Sequence, residues 1–440
     1  MTAITTKNLR INSAEQLLES VSEPAATVLY IGYGKNTPWA NDSLPNTAVD
    51  SVSDRDDVWR NLIGGKKITG NDISLAIPRK NWTTNTVYQN YDDTSSTLFD
   101  ANTNFYVITD EYNVYKCLYN NNSANSTAKP TYVISNFAST EADGYVWKYM
   151  YTLNTKERQK FLTDEWMPVK TLTLDDASQQ YAVQTAAVDG AIDIILVSNG
   201  GSNYTNTSNI TVSISGDGLD ATAVAYVNTT SNTIANVIVT TRGTNYTTAN
   251  VTISGGGGSG AVARAIIGPP GGHGKNPVYE LGGSNIIISV RVDGDEDGVL
   301  IANNDYRQVS IIKDPLIYGS SNAFTNTVFS QTLTLAIAGA GPDYVSDEYV
   351  YQGSSLDLAT FSARVLSWNT STNIMKVSEY TGTPTATTLN GQTSGANRFI
   401  ASIINPELKN RSGHVIYIDN ITPISRTDDQ AELMKIVIKY

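Results

Sequence analysis

Between about Val188 and Gly268 the chain repeats itself with a period of about 40 residues, and nothing else in the sequence restricts the fold as strongly. Ile194-Ile195-Leu196-Val197 leads to Gly200-Gly201-Ser202-Asn203-Tyr204, then to Val212-Ser213-Ile214-Ser215-Gly216 and an alanine-rich strand from Ala221. Val237-Ile238-Val239 leads in the same order to Gly243-Thr244-Asn245-Tyr246, Val251-Thr252-Ile253-Ser254-Gly255 and a second alanine-rich strand from Ala261. Each copy reads as a supersecondary unit of about three strands. Two copies are too few for a propeller or a long solenoid, so they are expected to pack together as one small β module. The segment closes at Gly268-Pro269-Pro270-Gly271-Gly272, a linker by composition.

The rest of the chain also favours strands. Its 440 residues include 41 Asn and 51 Thr, residues that weaken helices: Asn prefers turns, and Thr is stiff at χ1 and suits pleated strands. Three short helices are expected in the first 165 residues. One follows a Ser13/Gln16 capping box and buries Leu17, Leu18 and Val21. A second is capped by Asp54, buries Val58, Trp59, Leu62 and Ile63, and stops at Gly64-Gly65. The third runs from Thr155 to Leu162. Strands are expected over 27–31, 105–108, 114–118, 145–153, 286–292, 309–312, 415–418 and 433–438, all β-branched or aromatic runs bounded by turn residues. The fold class is therefore mainly β with a few short helices: an α+β core carrying two inserted small β-sandwich or barrel modules. We expect the core at 1–187, completed by 273–318 and 406–440, and the modules at 188–272 and 319–405.

Charge and composition exclude several functions. Thirty basic against 42 acidic side chains give a net charge of −12, leaving no cationic surplus to displace counterions from nucleic acid. No apolar run approaches a membrane span, and the start Met-Thr-Ala-Ile-Thr-Thr-Lys shows no signal peptide, so a cytoplasmically made protein is expected. Cys117 is the single cysteine, which rules out an intrachain disulfide and a thiolate zinc cluster, and His273 and His414, the two histidines, leave little material for a catalytic dyad or a multi-histidine metal site.

The remaining candidates for chemistry each fall short. Gly271-Gly272-His273-Gly274-Lys275 lacks phosphate-loop spacing: Pro269 stands where the first glycine belongs, and Asn276 where Ser or Thr would hold magnesium. Asp293-Gly294-Asp295-Glu296-Asp297-Gly298 resembles half a calcium loop, but Asn304 occupies the position of the bidentate Glu. His414 has no nucleophile or carboxylate at a useful spacing, and Asp175-Asp176 and Asp428-Asp429 lie in turn-rich sequence. Cys117 sits in an apolar alternation and reads as a small buried hydrophobe. The Asn-x-Ser/Thr sequons, Asn203-Tyr204-Thr205 among them, follow from the abundance of Asn and Thr. No catalytic, cofactor-binding or metal-binding residue is assigned, and no enzyme activity is expected.

Five ordered blocks resemble the dimeric wedge subunit of the baseplate in T-even-type contractile-tailed bacteriophages. They are Tyr30-Ile31-Gly32-Tyr33-Gly34-Lys35 with Pro38-Trp39; Asp57-Val58-Trp59 followed by Ala76-Ile77-Pro78-Arg79-Lys80-Asn81-Trp82; Val114-Tyr115-Lys116-Cys117-Leu118; and Asp143-Gly144-Tyr145-Val146-Trp147-Lys148-Tyr149. The last is split between Arg307-Gln308-Val309-Ser310-Ile311-Ile312 with Pro315-Leu316, and Ser412-Gly413-His414-Val415-Ile416-Tyr417 running into Ile436-Val437-Ile438. Residues 188–272 and about 319–405 depart from the T-even member. The resemblance implies a non-enzymatic structural component of the virion tail baseplate. Its implied partners are itself, as a homodimer, and neighbouring wedge proteins, with no nucleic acid, membrane or cofactor, and with movement during tail contraction. Trp39, Trp59, Trp82 and Trp147 in these blocks are expected to pack in the core rather than anchor an interface. The rival expectation is a carbohydrate-binding or receptor-binding tail adhesin. In it Tyr204 and Tyr246, at equivalent repeat positions, would stack on sugars instead of pinning their turns.

Overall fold

A computed structural model describes residues 4–23, 27–205 and 209–440; Met1-Thr2-Ala3 and the side chain of Asp297 lie outside that description. Strands account for 44% of the chain and helices for 12%, so the fold is mainly β, as the composition implies. The chain divides into two compact units. The first comprises 1–16, 74–287 and 437–440, the second 17–73 and 288–436.

In the first unit the strands Tyr106–Ile108, Asn113–Tyr119, Val146–Thr152 and Ser139–Thr140 form an antiparallel sheet in that order. Aromatic residues dominate its core. Tyr145 stacks on Trp147 at 5.7 Å with the rings 16° apart, and Tyr88 meets Trp147 edge-on at 5.4 Å. Asp143 opens the hairpin into this sheet. Its carboxylate accepts from the Thr127, Ala128 and Tyr145 amides and the Ser126 hydroxyl, which fixes the 126–128 loop against the sheet.

The repeat forms a second, six-stranded sheet in this unit. Its order is Ile210–Gly216, Ala249–Gly255, Ser259–Ile267, Ile192–Ser202, Thr233–Thr244, Leu219–Asn228, and the first and last strands also run alongside each other. Exchanging the two sequence copies maps this set of neighbours onto itself, so the module has an internal pseudo-two-fold. The register agrees in detail. Val224 pairs with Ile238, and Arg264, 40 residues on, pairs with Leu196. The bulges at Thr222/Ala223 and Tyr226/Val227 recur at Val262/Ala263 and Ile266/Ile267. Ala221, Ala223 and Ala225, with Ala261, Ala263 and Ala265, face the interior; their small size lets the module close tightly around Ile195, Val237 and the two tyrosines.

In the second unit a five-stranded antiparallel sheet runs Val328–Ser330, Leu62–Ile68, Leu29–Gly34, Asn304–Lys313, His414–Arg426. Its core gathers Tyr30, Trp59, Leu62, Ile312, Phe324, Phe329 and Leu408. A separate six-stranded closed barrel occupies Leu333–Ile404. Alternation along Leu333–Ala338 and Phe361–Asn369 sends Leu333, Leu335, Ile337, Phe361, Ala363 and Val365 inward, where they meet Met375 and Val377.

Helix boundaries differ from expectation for local reasons. The first helix spans Lys7–Ser22, so Ser13 lies inside it and its hydroxyl donates to the Leu9 carbonyl rather than capping. Leu17, Leu18 and Val21 are half-buried, while Ile11 and Ala14 are the buried positions. The second helix, Val52–Asn61, is capped by Ser51, whose hydroxyl accepts from the Asp54 amide at 3.0 Å. Leu62, Ile63 and Gly64-Gly65 belong to the following strand. The glycines stop no helix; they make room for Phe329, whose ring would lie 2.6 Å from a Cβ at Gly65. The third helix, Thr155–Phe161, is capped reciprocally by Asn154 and Glu157. Three further short helices, Gln179–Thr185, Pro277–Leu281 and Glu296–Val299, lack the long apolar stripe that sequence reading relies on.

Candidate functional site

The densest polar constellation was not singled out from sequence. It lies in the first unit around Lys116, Lys148, His273 and Glu280. Lys116 and Lys148 sit directly opposite each other on the paired strands Asn113–Tyr119 and Val146–Thr152. Like charges in cross-strand register repel, and both side chains are buried, so each needs its own partner. Lys116 forms an ion pair with Glu280 and lies 5.0 Å from the centre of the Tyr91 ring. Lys148 donates to the Ser135 carbonyl at 2.7 Å. Burial draws the Lys148 ammonium down from 10.5 to about 8. It also lowers Lys116, although Glu280 pulls the other way.

Glu280 comes from the short helix Pro277–Leu281, whose cap is Asn276. The glycine loop before that helix wraps the carboxylate: Gly274 N–H reaches both oxygens at 2.8 and 3.0 Å, and Asn276 N–H reaches one at 3.1 Å. The Gly274 and Asn276 amides thus form an anion cradle, filled by the chain's own glutamate. Gly272 takes φ +92°, and a Cβ there would meet the Val188 carbonyl at 2.2 Å, so a side chain is excluded. His273 is buried with its ring edge-on to Tyr91 at 4.8 Å. Burial pushes its pKa well below 6.5, and Lys116, Lys148 and Arg242 push the same way, so the imidazole is neutral at pH 7. Its Nδ1 has no hydrogen-bond partner and lies 3.9 Å from Glu280. The side chains of Lys116, Glu280 and His273 are at most 4% exposed, so the arrangement can hold two sheet strands and a loop together but presents no surface to a substrate.

In the second unit, two buried arginines have a comparable role. Arg307 grips Asp42 through Nε and Nη2 at 3.0 and 2.9 Å and donates to the Asn36 carbonyl at 2.8 Å. Arg426, fully buried, donates to Tyr33 Oη at 2.6 Å and the Ile301 carbonyl at 2.9 Å, reaches the Asp293 and Gly294 carbonyls, and pairs with Glu432 at 3.1 Å. Arg307, Arg364, Asp305 and Asp347 line a shallow cleft of about 440 Å³, in which both signs of charge face each other.

The other sequence candidates are placed as follows. The Asp293–Gly298 turn has its first two carbonyls occupied by Arg426, and Glu296 is held by Lys66 at 2.6 Å. His414 begins an edge strand, exposed, opposite Lys313. Asp175 and Asp176 cap the backbone amides of Ala177 and Ser178; Asp428 accepts from Asn303, and Asp429 from Thr427. The Cys117 thiol is buried, and burial holds it in its protonated form. Trp59 and Trp147 are buried; Trp39 and Trp82 are half-buried and donate to the Ile421 carbonyl and Ser126 hydroxyl. Tyr204 and Tyr246 are 1% and 4% exposed. A Cβ added at Gly258 or Gly218 would fall 2.4 or 2.3 Å from their respective rings, which therefore lie flat on glycine backbone and offer no face to a sugar.

The described residues thus form a β-rich molecule whose buried charges are paired within the chain, with carboxylates, hydroxyls and backbone carbonyls. Residues 3–139 match the family model described as Phage-Gp8: Bacteriophage T4, Gp8. The six-stranded module and the barrel lie outside the matched stretch. No curated protein sequence matches the chain.

Proposed function

We propose that the chain is a non-enzymatic structural subunit of a phage baseplate wedge. The family match over residues 3–139 is the observation that carries this reading. In it the subunit is made in the host cytoplasm, pairs with a second copy, binds neighbouring wedge proteins without nucleic acid, membrane or cofactor, and moves as stiff bodies when the tail contracts. Sheets locked by buried ion pairs suit a part that must change position without changing shape. The core at 1–187 with 273–318 and 406–440 would carry the wedge contacts, and the modules at 188–272 and 319–405 would extend the contact surface.

Gold-labelled antibody raised to this chain tests the proposal on intact particles of the encoding phage. Six-fold label around the distal tail plate is expected. Label confined to fibre tips, or none on the particle, would overturn it.

A further inference from the structure

The cleft of about 440 Å³ in the second unit holds polar groups that the chain itself leaves under-used. Two of its three arginines are spent. Arg307 makes hydrogen bonds of 3.0, 2.9 and 2.8 Å to Asp42 and the Asn36 carbonyl. Arg426 engages Tyr33, Glu432 and three backbone carbonyls. Arg364 is different. Its side chain is only 13% exposed, yet Nε and Nη2 both stand 3.4 Å from a single Asp347 oxygen, and Nη1 stands 3.5 Å from Thr37 Oγ1. A well-made guanidinium–carboxylate bond is about 2.7–2.9 Å long. The same Asp347 oxygen is already taken at 2.7 Å by the Asn36 amide. Arg364 is therefore a nearly enclosed donor fork with no good acceptor among the described residues.

Acceptors are in surplus on the same cleft. Asn304 lines it and is 8% exposed, and its Oδ1 has no hydrogen-bond partner among the described residues. An enclosed oxygen left so costs free energy that a donor would recover. Asp305 and Asp347 are 40% and 63% exposed. Asp305 accepts from the Ser425 hydroxyl on one oxygen and meets Arg307 only at 3.4 Å on the other.

These groups select among ligand classes. A plain anion would face Asp305 and Asp347 as like charges, and a plain cation would face Arg364. A neutral sugar would find no aromatic ring to stack on, because Pro38 and Leu366 are the apolar residues of the lining. A zwitterion meets both signs, and a guanidinium fork matches a planar carboxylate bidentately. The volume falls within the range of small-molecule sites, about 300–1,000 Å³, and leaves room for a side chain against Pro38 and Leu366.

We infer that this cleft binds a free α-amino acid, its carboxylate on Arg364 and its ammonium on Asn304 Oδ1, Asp305 and Asp347. The inference goes beyond the wedge reading and does not rest on it.

Saturation-transfer NMR of the full chain with the standard amino acids at about 10 mM each, followed by isothermal titration of the strongest, tests it. At least one is expected to bind with a dissociation constant of about 1 mM or below. Its N-acetyl and carboxamide derivatives each lack one charge and should bind the unaltered chain at least about tenfold more weakly. Arg364→Gln should weaken the parent amino acid about tenfold and leave its carboxamide unchanged, because only the parent carries the carboxylate that the fork holds. Asp305→Asn should weaken the parent and leave the N-acetyl form unchanged. A merely structural arginine would weaken parent and carboxamide alike. No binding by any amino acid, derivatives that bind as tightly as the parent, or an Arg364→Gln variant that spares the parent or weakens both forms equally would each overturn the inference. The comparison of derivatives uses the unaltered chain, so it decides the matter even where a variant fails to fold.

Discussion

The two sheets of the first unit reach a unique structure by opposite means. The sheet around Trp147 buries charge: two lysines in cross-strand register, made compatible by Glu280 and the Ser135 carbonyl. The six-stranded module buries almost none and relies on repetition, with equivalent bulges and two tyrosines seated on glycine. In the first, specificity rests on pairs that fail badly when one member is missing. In the second it rests on packing that occurs twice, so each half is a control for the other.

The largest effect that would test this contrast is at Glu280. Glu280→Ala leaves the Lys116 ammonium buried without its partner and should cost about 3–5 kcal/mol of unfolding free energy, read by urea denaturation. The Lys116→Met/Glu280→Leu pair, which removes both charges and keeps volume, should recover most of that loss. A single variant within about 1 kcal/mol of the unaltered chain would show that the ion pair is not what holds the loop to the sheet. Slightly smaller losses, about 3–4 kcal/mol each, are expected for Tyr204→Ala and Tyr246→Ala. Because the two sites are equivalent, their costs should agree within about 1 kcal/mol, and a larger difference would break the two-fold account.

Stability should also depend on pH through the charged sheet. The Lys148 pKa is about 8 in the folded chain against 10.5 ordinarily. Between those values the unfolded chain holds a proton that the folded one has lost, so stability rises with pH across that window. The gain is at most about 3 kcal/mol. Lys7, also lowered to about 8 by burial, adds a smaller part that solvent screens. Above pH 10 the trend reverses. Burial raises the phenols of Tyr30, Tyr33 and Tyr106, so the unfolded chain ionises first. Below pH 6.5 the unfolded His273 takes a proton that the buried imidazole refuses, and stability falls. Thermal unfolding followed by circular dichroism from pH 7.5 to 9.5 should show the rise, and Lys148→Met should flatten it.

How far these features could be read in advance follows the same division. The repeat was legible because its period and glycines recur in sequence, and the strand cores were legible because β-branched and aromatic runs alternate. The helix starts were not. A Ser13/Gln16 spacing looks like a cap wherever it occurs, and Gly64-Gly65 reads as a stop unless Phe329 is known to lie over it. The charge cluster was hidden for a different reason: Glu280 and Lys116 are 164 residues apart, and only the fold brings them together. A signal did exist. Lys116 and Lys148 each interrupt an aromatic run, and a charge inside such a run implies a buried partner somewhere.

The smallest expected effect bears most directly on the module's repeat. Arg264→Val gives this position the residue that its repeat equivalent, Val224, carries. Arg264 and its partners Asp92 and Asp93 are each about a third exposed, so losing both ion pairs should cost no more than about 1 kcal/mol. Hydrogen exchange of the Ser259–Ile267 strand should then stay close to that of the unaltered chain, because Ile266 remains buried and the pairing with Ile192–Ser202 is untouched. Such a result would mean that apolar packing and pairing hold this strand, with the arginine setting only which loop it meets. A loss of about 3 kcal/mol or more would instead place the energy of that contact in the charges.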